Sequence, residues 1–267
     1  MLDRRASAPR SLAVRLFDLT GRVAIVTGGN GGIGLGMALG LGEAGASILV
    51  VGRNADKNAE AMASLAGIGA EAASLEVDVT DEADCGAMVE RALARFGRVD
   101  ILVNNAGINV RKPPETYTLA EWRTIIDGNL TSAFLASRAV YPALVAAGGG
   151  KIINIGSLSS ILGLPFAAPY AASKGGIVQL TRSLATAWAK DNIQVNAVLP
   201  GWIDTDLTRQ ARIDVPDLHD RVLSRTPARR WGVPADFAGI AVYLASPASD
   251  YMTGAAIPVD GGYAIQS

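Results

Sequence analysis

The 267-residue chain holds one cysteine and one histidine. Cys85 alone cannot form an internal disulfide, and Cys85 with His219 is too small a set for a Cys/His metal site. A single thiol fits a reducing compartment, and a cytoplasmic location is expected. Neither sign of charge is in excess: 24 Lys+Arg face 25 Asp+Glu, for a net −1 with histidine neutral. Nucleic acids and anionic membrane surfaces call for a basic face, so neither is expected as a partner. No apolar run approaches the roughly 18 residues that span a bilayer. Met1 to about Arg15 carries Arg4, Arg5, Arg10 and Arg15 without the continuous apolar stretch of a secretory signal. Asp3 and Pro9 argue against a transit peptide, so residues 1–15 read as a flexible extension ahead of one domain, 16–267.

What the chain has in quantity is apolar residues, 49%, and glycine, 30 residues where average usage is roughly 7%. The apolar residues fall in short β-branched runs separated by helical patterns. Val23–Val26, Ser47–Val51, Ala73–Val77, Val99–Val103, Lys151–Ile155, Ile193–Leu199 and Ala256–Val259 read as strands. Between them lie a helix ending near Ala44, one capped by Asn54, and helical patterns over Glu82–Arg95, Leu119–Ala147, Tyr170–Lys190 and Pro234–Ala245. The strands lack polar alternation, which suits a parallel sheet covered on both faces. The expected fold is α/β: a doubly wound, seven-stranded parallel sheet with helices on both faces, Rossmann-type, in a single domain. The segment 202–230 breaks the rhythm and reads as a long irregular lid over a site.

The first strand runs into Thr27-Gly28-Gly29-Asn30-Gly31-Gly32-Ile33-Gly34 and then a helix. Glycines let the main chain turn sharply and approach a pyrophosphate, whose charge meets the helix N-terminus. Gly36, Gly40 and Gly42 are expected to let that helix lie close to the sheet. The second strand ends in Val51-Gly52-Arg53, where an acidic residue would favour NAD through the ribose 2′-OH. Arg53 can instead clamp a 2′-phosphate with parallel charge-assisted hydrogen bonds, so NADP is expected, with NAD the alternative.

The T-G-x-x-x-G-x-G spacing resembles the short-chain dehydrogenase/reductase family. Asn104-Asn105-Ala106-Gly107, Tyr170-Ala171-Ala172-Ser173-Lys174 and Asn196-Ala197-Val198-Leu199-Pro200-Gly201 resemble it too, in the family's order, over about Gly21 to Gly262. Tyr170 and Lys174, four apart, share one helix face. The resemblance implies that Tyr170 is the general acid/base and that Lys174 lowers its pKa and binds the nicotinamide ribose. It gives Ser157, chosen by its spacing over the loop residues Ser159 and Ser160, the task of orienting the reacting oxygen. Asn129 would bend its helix and complete a proton relay through a water. By the same resemblance the cofactor contacts are Gly28, Asn30, Gly32, Ile33, Gly34, Arg53, Asp78, Val79, Asn105, Gly107, Tyr170, Lys174, Pro200, Gly201, Ile203 and Thr205. Asp78 would reach the adenine amino group, while Asn105 would stabilise the sheet beside the adenosine. No metal is required.

The stretches Gly107–Pro113 and Pro200–Asp206 resemble the sugar-acid branch of the family, the gluconate 5-dehydrogenases and 2-deoxygluconate 3-dehydrogenases. The expected substrate is therefore a small molecule, a sugar acid or polyol. Arg111 can pair with its carboxylate, although an exposed loop arginine is the plain alternative. Trp202 and His219, with Arg209 and Arg212, are further candidates in the lid. A 3-oxoacyl carrier-protein reductase is the runner-up, weakened by the uncharged stretch Ala143–Gly150 and by Thr186. A non-catalytic nucleotide-sensing relative is the third. The resemblance also implies a homotetramer.

Overall fold

A computed structural model describes residues 15–266; the expected extension lies outside these, apart from Arg15. Seven strands, β1 (Val23–Thr27), β2 (Ser47–Val51), β3 (Ala72–Leu75), β4 (Ile101–Asn104), β5 (Gly150–Ile155), β6 (Ile193–Pro200) and β7 (Ala256–Val259), form one sheet. Their order is β3-β2-β1-β4-β5-β6-β7 and every pairing is parallel. The third and fourth strands overlap the expected Ala73–Val77 and Val99–Val103 with shifted ends, because the parallel register carries only Ala72–Leu75 and Ile101–Asn104.

The β1 run Val-Ala-Ile-Val-Thr is buried throughout, as an inner parallel strand requires. Its alternate residues serve two cores. Ala24 and Val26 join Ile48, Val50, Val103 and Ile153 against α1 (Gly32–Glu43) and α9 (Ala238–Ala245). Ile25 joins Leu49, Leu102 and Ile152 against α3 (Glu82–Phe96) and the helices α5 (Ser132–Ala146) and α6 (Ala168–Trp188). Gly36 and Gly40 do not serve the sheet as expected. A methyl at Gly36 would strike the Pro234 carbonyl, and one at Gly40 would lie 2.6 Å from the Ala238 methyl, so both let α1 approach the α9 segment.

The pattern Leu119–Ala147 is not one uniform helix. It comprises α4 (Leu119–Ile126), a π-helical turn over Asp127–Thr131, and α5. Asn129 sits in that turn, and wide turns of this kind are frequent at functional sites. The expected irregular lid is also corrected. Residues 206–225 fold into α7 (Asp206–Asp214) and α8 (Leu218–Arg225), held by a small core of Ala211, Leu218, Val222 and Trp231. Sequence periodicity is hard to see in helices this short, with charges on their outer faces. α2 (Ala55–Gly67) starts at Asn54, whose side chain accepts from Lys57 N–H at 2.8 Å.

Candidate active site

The C-terminal ends of β1, β4, β5 and β6 open on one crevice, where ligands of open α/β sheets bind. At its β1–β2 end the surface is main chain. Gly28 turns at φ +61°, and a methyl at Gly34 would run into the Gly28 carbonyl and the Asn105 amide, so glycine is required at both. Asn105 donates to Thr27 O (3.2 Å) and Gly28 O (3.0 Å), tying the loop to β4. Gly31, at the α1 N-cap, offers no side-chain cap and the first turn has no acidic residue, leaving its N–H groups to an anion. Asn30 does not face that space freely: its Nδ2 donates to Asn58 Oδ1 at 2.7 Å. That pair fills the ground above Gly52, which explains the missing side chain at this position.

Arg53 is two-thirds exposed and reaches Asp78 at 3.4 Å. Asp78 accepts from Thr80 N–H (3.0 Å) and hydroxyl (2.8 Å), and the backbone bond leads in holding its carboxyl below the usual range. The Val79 and Ile203 side chains are buried in the core, so main chain is what these two offer a ligand. Ile33 packs partly against the core, and a methyl at Gly32 would stand 3.2 Å from the Thr205 methyl group.

At the β5–β6 end Lys174 is buried and its Nζ donates to Ile155 O at 2.7 Å. The Nζ stands 5.7 Å from the centre of the Tyr170 ring. Burial draws the ammonium down to about 8. A methyl on Gly107 would lie 2.9 Å from Asn129 Oδ1 and 3.6 Å from Lys174 Nζ, so this glycine keeps open the ground beside the lysine. Asn129 Oδ1 accepts from Ile108 N–H (2.7 Å), while Nδ2 donates to Ile108 O (3.0 Å) and Ser173 Oγ (3.0 Å). Its amide therefore clamps the loop after β4 to α6.

The Tyr170 phenol lies deep in the same site. Burial raises its pKa against the hydrogen bond with Ser157 and the positive charge of Arg111. Arg111 therefore sets a positive charge near the phenol from the cavity side, and Lys174 Nζ lies below the ring.

Ser157, Tyr170, Arg111, Asn109, Pro200, Gly201 and Trp202 line one cavity of about 560 Å³. Apolar side chains, among them Leu162, Phe166, Leu207, Leu218 and Val222, make up most of the remaining lining, with Thr208, Arg221, Ser224 and Arg225 from α7 and α8 beside them. Arg111 is not a loose surface arginine: its side chain is 14% exposed, donates to Leu207 O (3.3 Å) and pairs with Asp214 at 3.7 Å. Burial lowers its pKa against the pull of Asp214 and Tyr170. His219 is outside the cavity; it is exposed and stacks on Trp231, with centroids 6.2 Å apart. Arg209 and Arg212 turn to Asp204 (3.2 and 3.1 Å), and Arg212 covers Trp231 at 3.8 Å. α7 and α8 carry these three groups outside the cavity lining, which a linear reading of the segment does not reveal.

Asn109, to which the sequence assigns no role, and Ser159, which it reads as a loop residue, both line the cavity. Ser160 has a structural task, donating to Lys174 O at 2.6 Å. Among the described residues no helix is long and apolar enough to cross a membrane, and no His/Cys/Asp/Glu group is arranged to hold a metal.

The profile described as enoyl-(acyl carrier protein) reductase matches residues 28–264. The chain belongs to the short-chain dehydrogenase/reductase family. It is 44% identical over 253 residues to a 2-dehydro-3-deoxy-D-gluconate 5-dehydrogenase of Dickeya dadantii, covering 94% of this chain and 99% of the relative. It is 40% identical over 247 residues to a 5-keto-D-gluconate 5-reductase of Escherichia coli, covering 92% and 97%. Among solved structures it is similar to a gluconate 5-dehydrogenase from Burkholderia cenocepacia in complex with NADP and tartrate. That likeness has a TM-score of 0.90 at 41% identity and covers 96% of this chain and 100% of the other. The family's oxidoreductase chemistry on a CH–OH group is that of this chain.

Proposed function

We propose that this protein is an NADP-dependent oxidoreductase interconverting a secondary alcohol and a ketone at C5 of a six-carbon sugar acid. The observation that carries the reading is that Arg111, Ser157 and Tyr170 line one cavity: an anion anchor in the same space as a proton donor. The substrates in the names of the Dickeya, Escherichia and Burkholderia relatives support the choice of acid, and the NADP in the Burkholderia structure supports that of cofactor.

The residues fit such a cofactor. The main chain of Gly28, Gly32 and Gly34 and the uncapped α1 N-terminus suit a pyrophosphate, Arg53 a 2′-phosphate, and Asp78 an adenine amino group. Asn30, Ile33, Val79, Asn105, Gly107, Pro200, Gly201, Ile203 and Thr205 complete the bed, with Tyr170 and Lys174 at the nicotinamide end. Bound there, NADP supplies or takes the hydride.

Tyr170 gives its phenolic proton to the carbonyl oxygen in reduction and takes it back in oxidation. Ser157 holds that oxygen. Lys174, with a pKa near 8, is poised to replace the proton at neutral pH. Asn129 fixes the Ile108 main chain beside it and, by the family resemblance, belongs to the proton's exit route. Arg111 takes the carboxylate, Trp202 closes the wall, and the α7–α8 segment, within 202–230, acts as the lid.

The apolar lining side chains Leu162, Phe166, Leu207, Leu218 and Val222 are the observation in favour of a second reading, a 3-oxoacyl carrier-protein reductase. NADPH consumption with 5-keto-D-gluconate and with an acetoacetyl thioester separates the two. Oxidation by the keto acid is expected; oxidation by the thioester alone, or by neither, contradicts the proposal. We infer further a cytoplasmic homotetramer. Leu119, Trp122, Phe134 and Val145, exposed on α4 and α5, offer apolar surface for association.

A further inference from the structure

Three arginines line the cavity that holds Ser157 and Tyr170, namely Arg111, Arg221 and Arg225, and no aspartate or glutamate lines it. Arg111 has a carboxylate to face, Asp214 at 3.7 Å. Arg221 and Arg225 pair with no carboxylate among the described residues. Both are nonetheless held in place. Arg221 Nη2 donates to Pro216 O at 3.1 Å, and the Arg225 guanidinium lies over the Tyr263 ring, 4.5 Å from its centre. Tyr263 lines the cavity too, so this charge stands on the cavity wall. Pro216 is two positions past Asp214, so Arg221 and Arg111 reach the same corner between α7 and α8.

Leu218, Arg221, Val222 and Arg225 follow the i, i+3, i+4, i+7 spacing of a single helix face, and all four line the cavity. The two arginines of that stripe are solvent-accessible, as residues at a mouth are. Like charges four apart weaken a helix, so the pair has a cost that α8 itself does not repay. A guanidinium donates five N–H groups and accepts none, and its strongest partners are carboxylates and phosphates. One substrate carboxylate answers Arg111. It leaves two positive charges at the mouth without a counter-charge, beside a lining that is mostly apolar. A cleft of one sign draws in groups of the other, and a hydroxyl supplies no such charge.

We propose that Arg221 and Arg225 form a second anion site at the mouth of the cavity, so that the preferred substrate is a doubly charged acid. One carboxylate meets Arg111, and a further carboxylate or phosphate group meets the α8 pair. The site rests on the reading of this cavity as the place of reaction and of Arg111 as the first anchor. The phosphates of NADP do not fill it, because the α1 N-terminus and Arg53 provide for them. A singly charged sugar acid still enters, but leaves the pair unmatched and binds less tightly.

The test is calorimetry on NADP⁺-loaded protein with D-gluconate, with D-glucarate, which adds a carboxylate, and with 6-phospho-D-gluconate, which adds a phosphate. Wild type binds at least one of the doubly charged acids about tenfold or more tightly than gluconate, the scale of a charged hydrogen bond. An advantage for glucarate alone assigns a carboxylate to the site, and one for the phosphorylated acid alone a phosphate. Replacing both arginines (Arg221→Gln, Arg225→Gln) cuts that advantage to less than about threefold, while gluconate shifts less than about twofold. Equal affinity of wild type for the three acids, an advantage that survives the substitutions, or equal weakening of all three overturns the site. Thermal melting checks the fold; should the double variant melt early, Arg225→Gln alone decides, with the advantage falling at least about threefold. Affinity is read without turnover, so failure of the proposed reaction, seen as no NADPH formed from gluconate, is distinguishable from failure of the second site.

Discussion

At the β1–β2 end of the crevice the candidate binding surface is main chain, shaped by glycines whose neighbours leave no room for a methyl. At the β5–β6 end it is side chains, drawn from the loops after β4 and β5, from α6 and from α7–α8. The first end presents N–H groups to a group common to every dinucleotide. The second must distinguish one small molecule from another, and only side chains can vary enough to do so. The contrast predicts that substitutions at the two ends change different kinetic constants.

The largest effect is expected at the second end. Tyr170→Phe removes the proton donor, and kcat/KM falls by about 10²–10⁴ while NADPH binding is little changed. Steady-state kinetics with fluorescence titration of NADPH checks both.

Lys174→Met tests how much the site stores in a buried charge. With a folded pKa of about 8 against an ordinary 10.5, the unfolded chain holds more protons between these values, so the wild type gains stability as pH rises through that window. Below it the full burial cost is present; above it the cost is gone. Denaturant unfolding of cofactor-free protein should show wild type gaining on Lys174→Met by about 3 kcal/mol across the window. A gap independent of pH would contradict the assignment.

Arg111→Ala is expected to raise KM for the sugar acid by about 10–100-fold, the scale of a lost charged hydrogen bond, with KM for NADPH unchanged. Removing its positive charge also raises the Tyr170 pKa, so the rise of the oxidation rate with pH moves to higher pH. A pH–rate profile of the variant reads that direction. Arg53→Ala inverts the pattern: KM for NADPH rises about tenfold, NADH is nearly unaffected, and KM for the acid stays put. Equal changes for both cofactors would dissolve the distinction between the ends.

The same contrast explains what could be read from the sequence. The glycine loop, the seven strands and the Tyr170–Lys174 spacing are local patterns, because strand period, helix period and turn chemistry act over a few residues. Asn109 and Ser159 carry no such signal; they lie 50 positions apart and matter only because β4 and β5 are neighbours. His219 misled for the reverse reason: its position within the lid segment suggested the cavity, but the turn of α8 sends it to Trp231. Arg111 looked like a surface arginine until α7 placed Leu207 and Asp214 over it. The burial of Tyr170 is likewise invisible in its spacing, which reveals the neighbouring lysine and not the desolvation.

The most direct test of the account follows the hydride itself. NADPH carrying deuterium at both C4 positions of the nicotinamide is incubated with 5-keto-D-gluconate and the wild-type protein, and the product is examined by NMR. The account predicts deuterium on C5 of a single aldonate epimer; NADPH consumption without deuterium at C5, or no consumption, would contradict it.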